Sequence, residues 1–183
     1  MKKILTIALL LIAINAQGQG LPVAANATLA SLFPDENLRR VVAEVLGPNA
    51  GLTGQRLSDA LARIEGVFYI TNISNARGIE HLTGVAELFI SDSNITDDLN
   101  FNTLANLTNL NITQSKLASV YVGNLPNLFW FVVRQSEITN LHFDNLPVTL
   151  TVFFMQSEIT NLHLSNIRTI HHLRISNSPS DGQ

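Results

Sequence analysis

Leu125-Pro126-Asn127-Leu128-Phe129-Trp130-Phe131-Val132-Val133-Arg134-Gln135-Ser136-Glu137-Ile138 is the stretch whose reading decides the fold. Its apolar skeleton is Leu125-x-x-Leu128-x-x-Phe131-x-Val133-x-x-Ser136-x-Ile138. The alternation at Phe131 and Val133 describes a short strand with both side chains on one face. The same skeleton recurs. Ser93, Ser115, Ser136, Ser157 and Ser178 stand 22, 21, 21 and 21 residues apart. The same steps link Leu88, Leu110, Phe131, Val152 and Leu173, and likewise Ile90, Ile112, Val133, Phe154 and Ile175. Leu82, Leu104, Leu125, Leu146 and Ile167 form another column, and Ile95, Leu117, Ile138 and Ile159 a further one. Several columns in one register mark a repeat in which neighbouring units bury a core that no single unit could bury alone.

The single 22-residue step can be located. Leu99, Val120, Leu141 and Leu162 keep a spacing of 21, whereas Ile95 to Leu117 is 22. The extra residue therefore lies near Asp97-Asp98, in an expected turn where an insertion costs little. After each Ser comes a second alternation: Val120-Tyr121-Val122, Leu141-His142-Phe143 and Leu162-His163-Leu164. The return path is thus read as strand or extended chain, not helix. Asn124, Asn145 and Asn166 follow it at positions where a turn needs side-chain help.

The unit resembles the leucine-rich repeat, L-x-x-L-x-L-x-x-N-x-L. The expected fold is therefore a leucine-rich-repeat solenoid of the α/β class, mostly short parallel strands, with a small α-helical N-terminal cap. One departure is the family's Asn, which is Ser in every clear repeat, with Asn72 its only candidate Asn. A hydroxyl both donates and accepts, so a Ser ladder along the turns is expected. A row of nucleophilic serines is the poorer reading, because no base adjoins them.

Ahead of the repeats, Phe33-Pro34-Asp35-Glu36-Asn37-Leu38 opens a helix and Gly47-Pro48 closes it. Pro34 is expected in the first turn, Asp35 and Glu36 near the positive dipole end. Leu38, Val41, Val42, Val45 and Leu46 make its apolar stripe. This opening, with Gly78-Ile79-Glu80-x-Leu82, resembles the cap and first repeat of internalin-like bacterial proteins over about Phe33 to Ile175. Between them, Ser58 to Ile64 reads as a second short helix or a degenerate first repeat. Two registers compete there: Leu61-Ile64-Val67-Tyr69-Asn72, or Ile73 aligned with Ile95, with the strand at Val67 to Ile70 open to a one-residue shift.

The ends and composition bound the rest. Met1-Lys2-Lys3, the apolar run Ile4 to Ile14 and Asn15-Ala16-Gln17-Gly18 have the three parts of a secretory leader, cut after Ala16 or Gly18. The run is shorter than the roughly 20 residues of a membrane span. The expected division is a leader at 1–18, a linker at 19–32, a helical cap at 33–60, repeats at 61–178 and a tail at 179–183. The product is exported: secreted, periplasmic or at the cell surface. There is no cysteine, hence no disulfide, thiolate metal site or lipid attachment. A formal charge of −3, with no basic run, argues against nucleic acid. Ser180 stands where the next Ile is due, so the C-terminal edge is expected to fray, to self-associate, or to belong to something longer.

Candidate chemistry is sparse. His142 and His163 share a column with Tyr121 and Asn100 and no carboxylate, which reads as a surface ladder rather than a metal site. His171-His172 is only a pair at a strand entrance. Asp92, Asp97 and Asp98 lack the Gly and terminal Glu of a calcium loop. No catalytic motif or cofactor signature is present, so an enzyme is not expected.

The informative surface is the outward strand face. Alternation turns out Phe89, Trp130, Val132, Arg134, Phe153, Met155, His172 and Arg174. Trp130 is the only tryptophan, and Trp and Arg are favoured where binding energy is focused. Arg134 and Arg174 can address carboxylate or carbonyl groups. The expected function is a non-catalytic module that binds a protein, or a glycan, on the concave strand face. The alternative is a structural repeat protein that self-associates through its C-terminal edge.

Overall fold

The computed structural model describes residues 20–147, 150–167 and 170–176. The expected leader, Ser178 and the tail at 179–183 lie outside the described residues. Among the described residues ten strands wind into a solenoid: β1 (Gly66–Thr71), β2 (Val85–Ser91), β3 (Asn94–Asn100), β4 (Asn109–Thr113), β5 (Lys116–Gly123), β6 (Trp130–Arg134), β7 (Glu137–Asp144), β8 (Thr151–Met155), β9 (Glu158–Ser165) and β10 (His172–Ser176). One parallel sheet has the order β1-β2-β4-β6-β8-β10, and a second has β3-β5-β7-β9. The return path is therefore a sheet, as the second alternation requires.

The columns pair as the spacing dictates. Leu88, Leu110, Phe131, Val152 and Leu173 are consecutive partners, as are Ile90, Ile112, Val133, Phe154 and Ile175. In the return sheet Val120, Leu141 and Leu162 align, and so do Tyr121, His142 and His163. Phe131 sits at the centre of the core, its ring edge-on to Phe143 at 5.4 Å and to Phe154 at 6.2 Å.

From the second unit on, each described turn is closed by a serine. Ser115 Oγ donates to Thr113 O at 2.8 Å and accepts the N–H of Ser93 at 3.2 Å. Ser136 Oγ repeats this with Arg134 O and Ser115 N, and Ser157 Oγ with Met155 O and Ser136 N. The residue before each serine has positive φ: Asp92 50°, Gln114 49°, Gln135 47° and Gln156 49°. Asn124, Asn145 and Asn166 take the same left-handed conformation at the opposite corner. Asn and Asp tolerate it better than most side chains, which is why the Asn column exists.

The first unit corrects both registers that the sequence left open. Phe68 pairs with Leu88 and Ile70 with Ile90, so Phe68 and Ile70 point inward and Val67 and Tyr69 outward. This is the one-residue shift. Asn72 is the left-handed residue of its corner, φ 56°, and not the counterpart of serine. Ile73 occupies the serine position, and its N–H donates to Ser93 Oγ. The extra residue is where the spacing puts it, but it is a register shift within β3, between Ile95 and Asp98, rather than a turn.

Among the described residues three α-helices close the N-terminal end: α1 (Leu29–Leu32), α2 (Glu36–Leu46) and α3 (Gly54–Ala62). Asp35 is the N-cap of α2, which leaves Pro34 before the helix and not in its first turn. Leu38, Val42 and Leu46 are buried, whereas Val45 is exposed. The second helix is real but begins earlier than Ser58. Part of the expected linker is structured: Thr28 caps α1 in a reciprocal capping box, and Gly20 N donates to Asp59.

The two halves of the cap motif meet in space. Gly78 has φ 104°, and a Cβ there would lie 2.4 Å from the Phe33 ring, so only glycine fits. Asp35 reaches the same unit through the N–H groups of Ser74 and Asn75 and the Ser74 hydroxyl. At the other end the core columns emerge: Leu162, Leu164, Leu173 and Ile175 are exposed, although their equivalents one turn earlier are buried.

Candidate functional site

The outward face of the six-stranded sheet is laid out by strand register. Trp130, Thr151 and His172 form one column over β6, β8 and β10. Val132, Phe153 and Arg174 form the next, and Arg134, Met155 and Ser176 the third. Seven of the eight expected site residues therefore share one tile of three strands. Phe89 is not among them. It lies on β2 and stacks on Tyr69 at 4.8 Å. Between the two groups runs β4, whose outward residues Asn109, Asn111 and Thr113 are polar, with Thr113 hydrogen-bonded to Asn111.

The tile has an aromatic ridge. Trp130 is 46% exposed and lies 6.0 Å from the Phe153 ring, which is 6.1 Å from His172; Phe129 adds a fourth ring 5.9 Å from Trp130. Val132 corrects the expectation. It sits on the outward face but is only 5% exposed. It is shorter than Trp130 and Phe153 around it, so it forms a floor and offers little surface to a ligand. Arg134, His172 and Arg174 are exposed; Phe153 and Met155 are half-buried.

Two exposed aromatics were missed by the sequence reading. Tyr69, 65% exposed, was hidden by the unsettled register of β1. Phe129 precedes β6, outside the alternation that sorts strand residues, so periodicity gives no signal for it.

On the return sheet Tyr121, His142 and His163 stack face to face at 4.3 and 4.4 Å, forming the expected ladder. Among the described residues no three His, Cys, Asp or Glu side chains gather to hold a metal. The hydroxyls of Ser93, Ser115, Ser136 and Ser157 are each engaged by the backbone on both sides. Among the described residues no helix is long and apolar enough to cross a membrane.

No family model matches this sequence, and no curated protein does. Among solved structures, an internalin (InlF) from Listeria monocytogenes has a similar chain path. It is 16% identical, with a TM-score of 0.41 over 83% of this chain and 72% of that one. At that level the similarity is a likeness only, and the solenoid rests on the strand pairing itself.

Proposed function

We propose that this chain is an exported, non-catalytic binding module that recognises a protein partner on the outward face of its six-stranded sheet. The observation that carries the reading is the ridge Phe129, Trp130, Phe153 and His172, four neighbouring rings on one tile. Large rings at the surface cost solvation and contribute nothing to the core, whereas buried at an interface they contribute much. The strands β6 and β8 beneath are paired on both sides, which holds the rings in place before a partner arrives. Export follows from the leader pattern and is tested by mass spectrometry of the natural product, whose N-terminus is expected at Gln17 or Gln19.

The test of binding is a pull-down with the mature protein against its own culture and candidate hosts, run in parallel with Trp130→Ala/Phe153→Ala. A partner retained by the wild type and lost by the double variant supports the reading. Partners retained equally by both contradict it. A glycan retained in place of a protein would keep the face and change the partner class.

A second reading, self-association through the C-terminal edge, draws on the exposure of Leu173 and Ile175. Light scattering separates the two, since a monomer at high concentration removes edge assembly.

A further inference from the structure

We infer, resting on the binding face proposed above, that the surface seated on the Trp130–Phe153 tile is an acidic, apolar polypeptide segment, its carboxylates taken by Arg134 and Arg174. The charge layout carries this. The chain as a whole is acidic, with 14 Asp and Glu against 11 Lys and Arg. The tile is the reverse: its charged side chains are Arg134 and Arg174, with titratable His172 beside them, and no acid stands in its three columns. The other end of the face is different, its outward charge being Glu87 on β2. Neither arginine makes an ion pair among the described residues.

Geometry refines the ligand. Arg134 and Arg174 are two strands apart and one column over, which in ideal sheet spacing separates their Cα atoms by roughly 12 Å. Phe153 and Met155 lie between them in the register. An extended segment whose carboxylates flank a large apolar side chain meets both guanidinium groups while that side chain rests on the ridge above Val132. Guanidinium is planar and binds a carboxylate in a two-pronged manner, so arginine suits this role better than lysine. Successive rings of the ridge are tilted by 37°, 49° and 48°, so they offer no flat platform for the consecutive sugars of an acidic glycan, whereas Phe153 and Met155 suit an apolar side chain, which favours a polypeptide. The partner's charge sets encounter rate and specificity, and the ridge sets residence.

The test uses a displayed library of short random peptides, selected on the mature protein and counter-selected on Trp130→Ala/Phe153→Ala. Peptides that need the ridge are expected to be rich in Asp and Glu beside Phe, Leu or Trp. They should bind Arg134→Gln/Arg174→Gln at least about tenfold more weakly and weaken as salt is raised. Arg134→Glu/Arg174→Glu should select Lys- and Arg-bearing peptides instead, a reversal that a merely structural role for the arginines would not produce. Ridge-dependent peptides with no acidic bias, bound equally by the Gln variant, overturn the acidic partner and leave the binding face standing. Tighter ridge-dependent binding of oligogalacturonate than of any selected peptide overturns the polypeptide assignment. Peptides that bind without regard to Trp130 and Phe153 overturn the face itself, and the inference falls with it.

Discussion

The backbone N–H of Ser115 donates to the side-chain oxygen of Ser136 at 3.1 Å, so each unit of the solenoid is held by the hydroxyl of the unit that follows it. The same hydroxyl donates to Arg134 O at 2.7 Å. One small side chain thus satisfies a donor and an acceptor that are otherwise buried at a tight corner. That is the physical reason serine recurs where the leucine-rich repeat has asparagine.

Replacing Ser136 with Ala leaves the buried N–H of Ser115 without its acceptor, while Arg134 O keeps the N–H of Gln114, at a cost of about 1–2 kcal/mol. Ser157→Ala is expected to cost less, because Ser157 is only half-buried. Ser136→Asn should be tolerated better than Ser136→Ala. Urea unfolding of the three variants measures this. Equal midpoints for wild type and Ser136→Ala would show that the ladder does not hold the corners.

Asp35 joins the cap to the first repeat and carries a pH signature. Burial pushes its carboxyl up, but hydrogen bonds from Ser74 N, Leu38 N, Asn75 N and the Ser74 hydroxyl together outweigh that and hold it below the usual value. A carboxyl lowered in the folded state contributes stability that is present above its unfolded pKa, about 3.9, and lost as pH falls through the folded value. Asp35→Ala is expected to lower stability at pH 7 by about 1–2 kcal/mol, the usual worth of an N-cap. It should also flatten the wild-type fall in stability below about pH 4. Thermal melts from neutral to acid pH decide; parallel curves for the two proteins would contradict this role.

His81 works the other pH range. It is buried against Phe33, and its Nδ1 has no hydrogen-bond partner among the described residues. Burial pushes its pKa down, Glu80 pulls it up in part, and Arg77 pushes it down further. With the folded value below the unfolded one, about 6.5, the fold is at full strength above that pH and weakens as pH falls toward the folded value. His81→Leu keeps the volume and removes the proton, so its melting temperature should change less between pH 7 and pH 5 than that of the wild type. An unchanged drop in the variant would assign the acid sensitivity to other groups.

How far the sequence could be read follows from what fixes register. A one-residue slip in a strand sends every side chain to the opposite face, so columns such as Leu110, Phe131 and Val152 admit one alignment. The first unit lacks that redundancy: Ile73 replaces the serine, and Asn72 imitates the asparagine of a leucine-rich repeat while serving as the left-handed corner. The extra residue at Asp97-Asp98 was legible by counting, but a bulge in a strand and an insertion in a turn have the same count. For the candidate site, alternation sorted Trp130 from Phe131 correctly. It could not foresee that Val132 is covered, because cover on a sheet face depends on the heights of side chains on neighbouring strands. Phe129 lay outside any periodic signal.

Neighbouring residues of β6 and β8 are proposed to divide between partner and core, and one paired measurement tests this. The affinity of the captured partner and the urea-unfolding stability are determined for wild type, Trp130→Ala, Trp130→Ala/Phe153→Ala and Phe131→Ala. The double variant is expected to lose binding while keeping stability within about 1–2 kcal/mol, since both rings lie on the outward face. Phe131→Ala is expected to lose about 3–5 kcal/mol, through the cavity left between Phe143 and Phe154. If the double variant binds as the wild type does, or if Trp130→Ala alone destabilises as much as Phe131→Ala, the proposed face is not the binding surface.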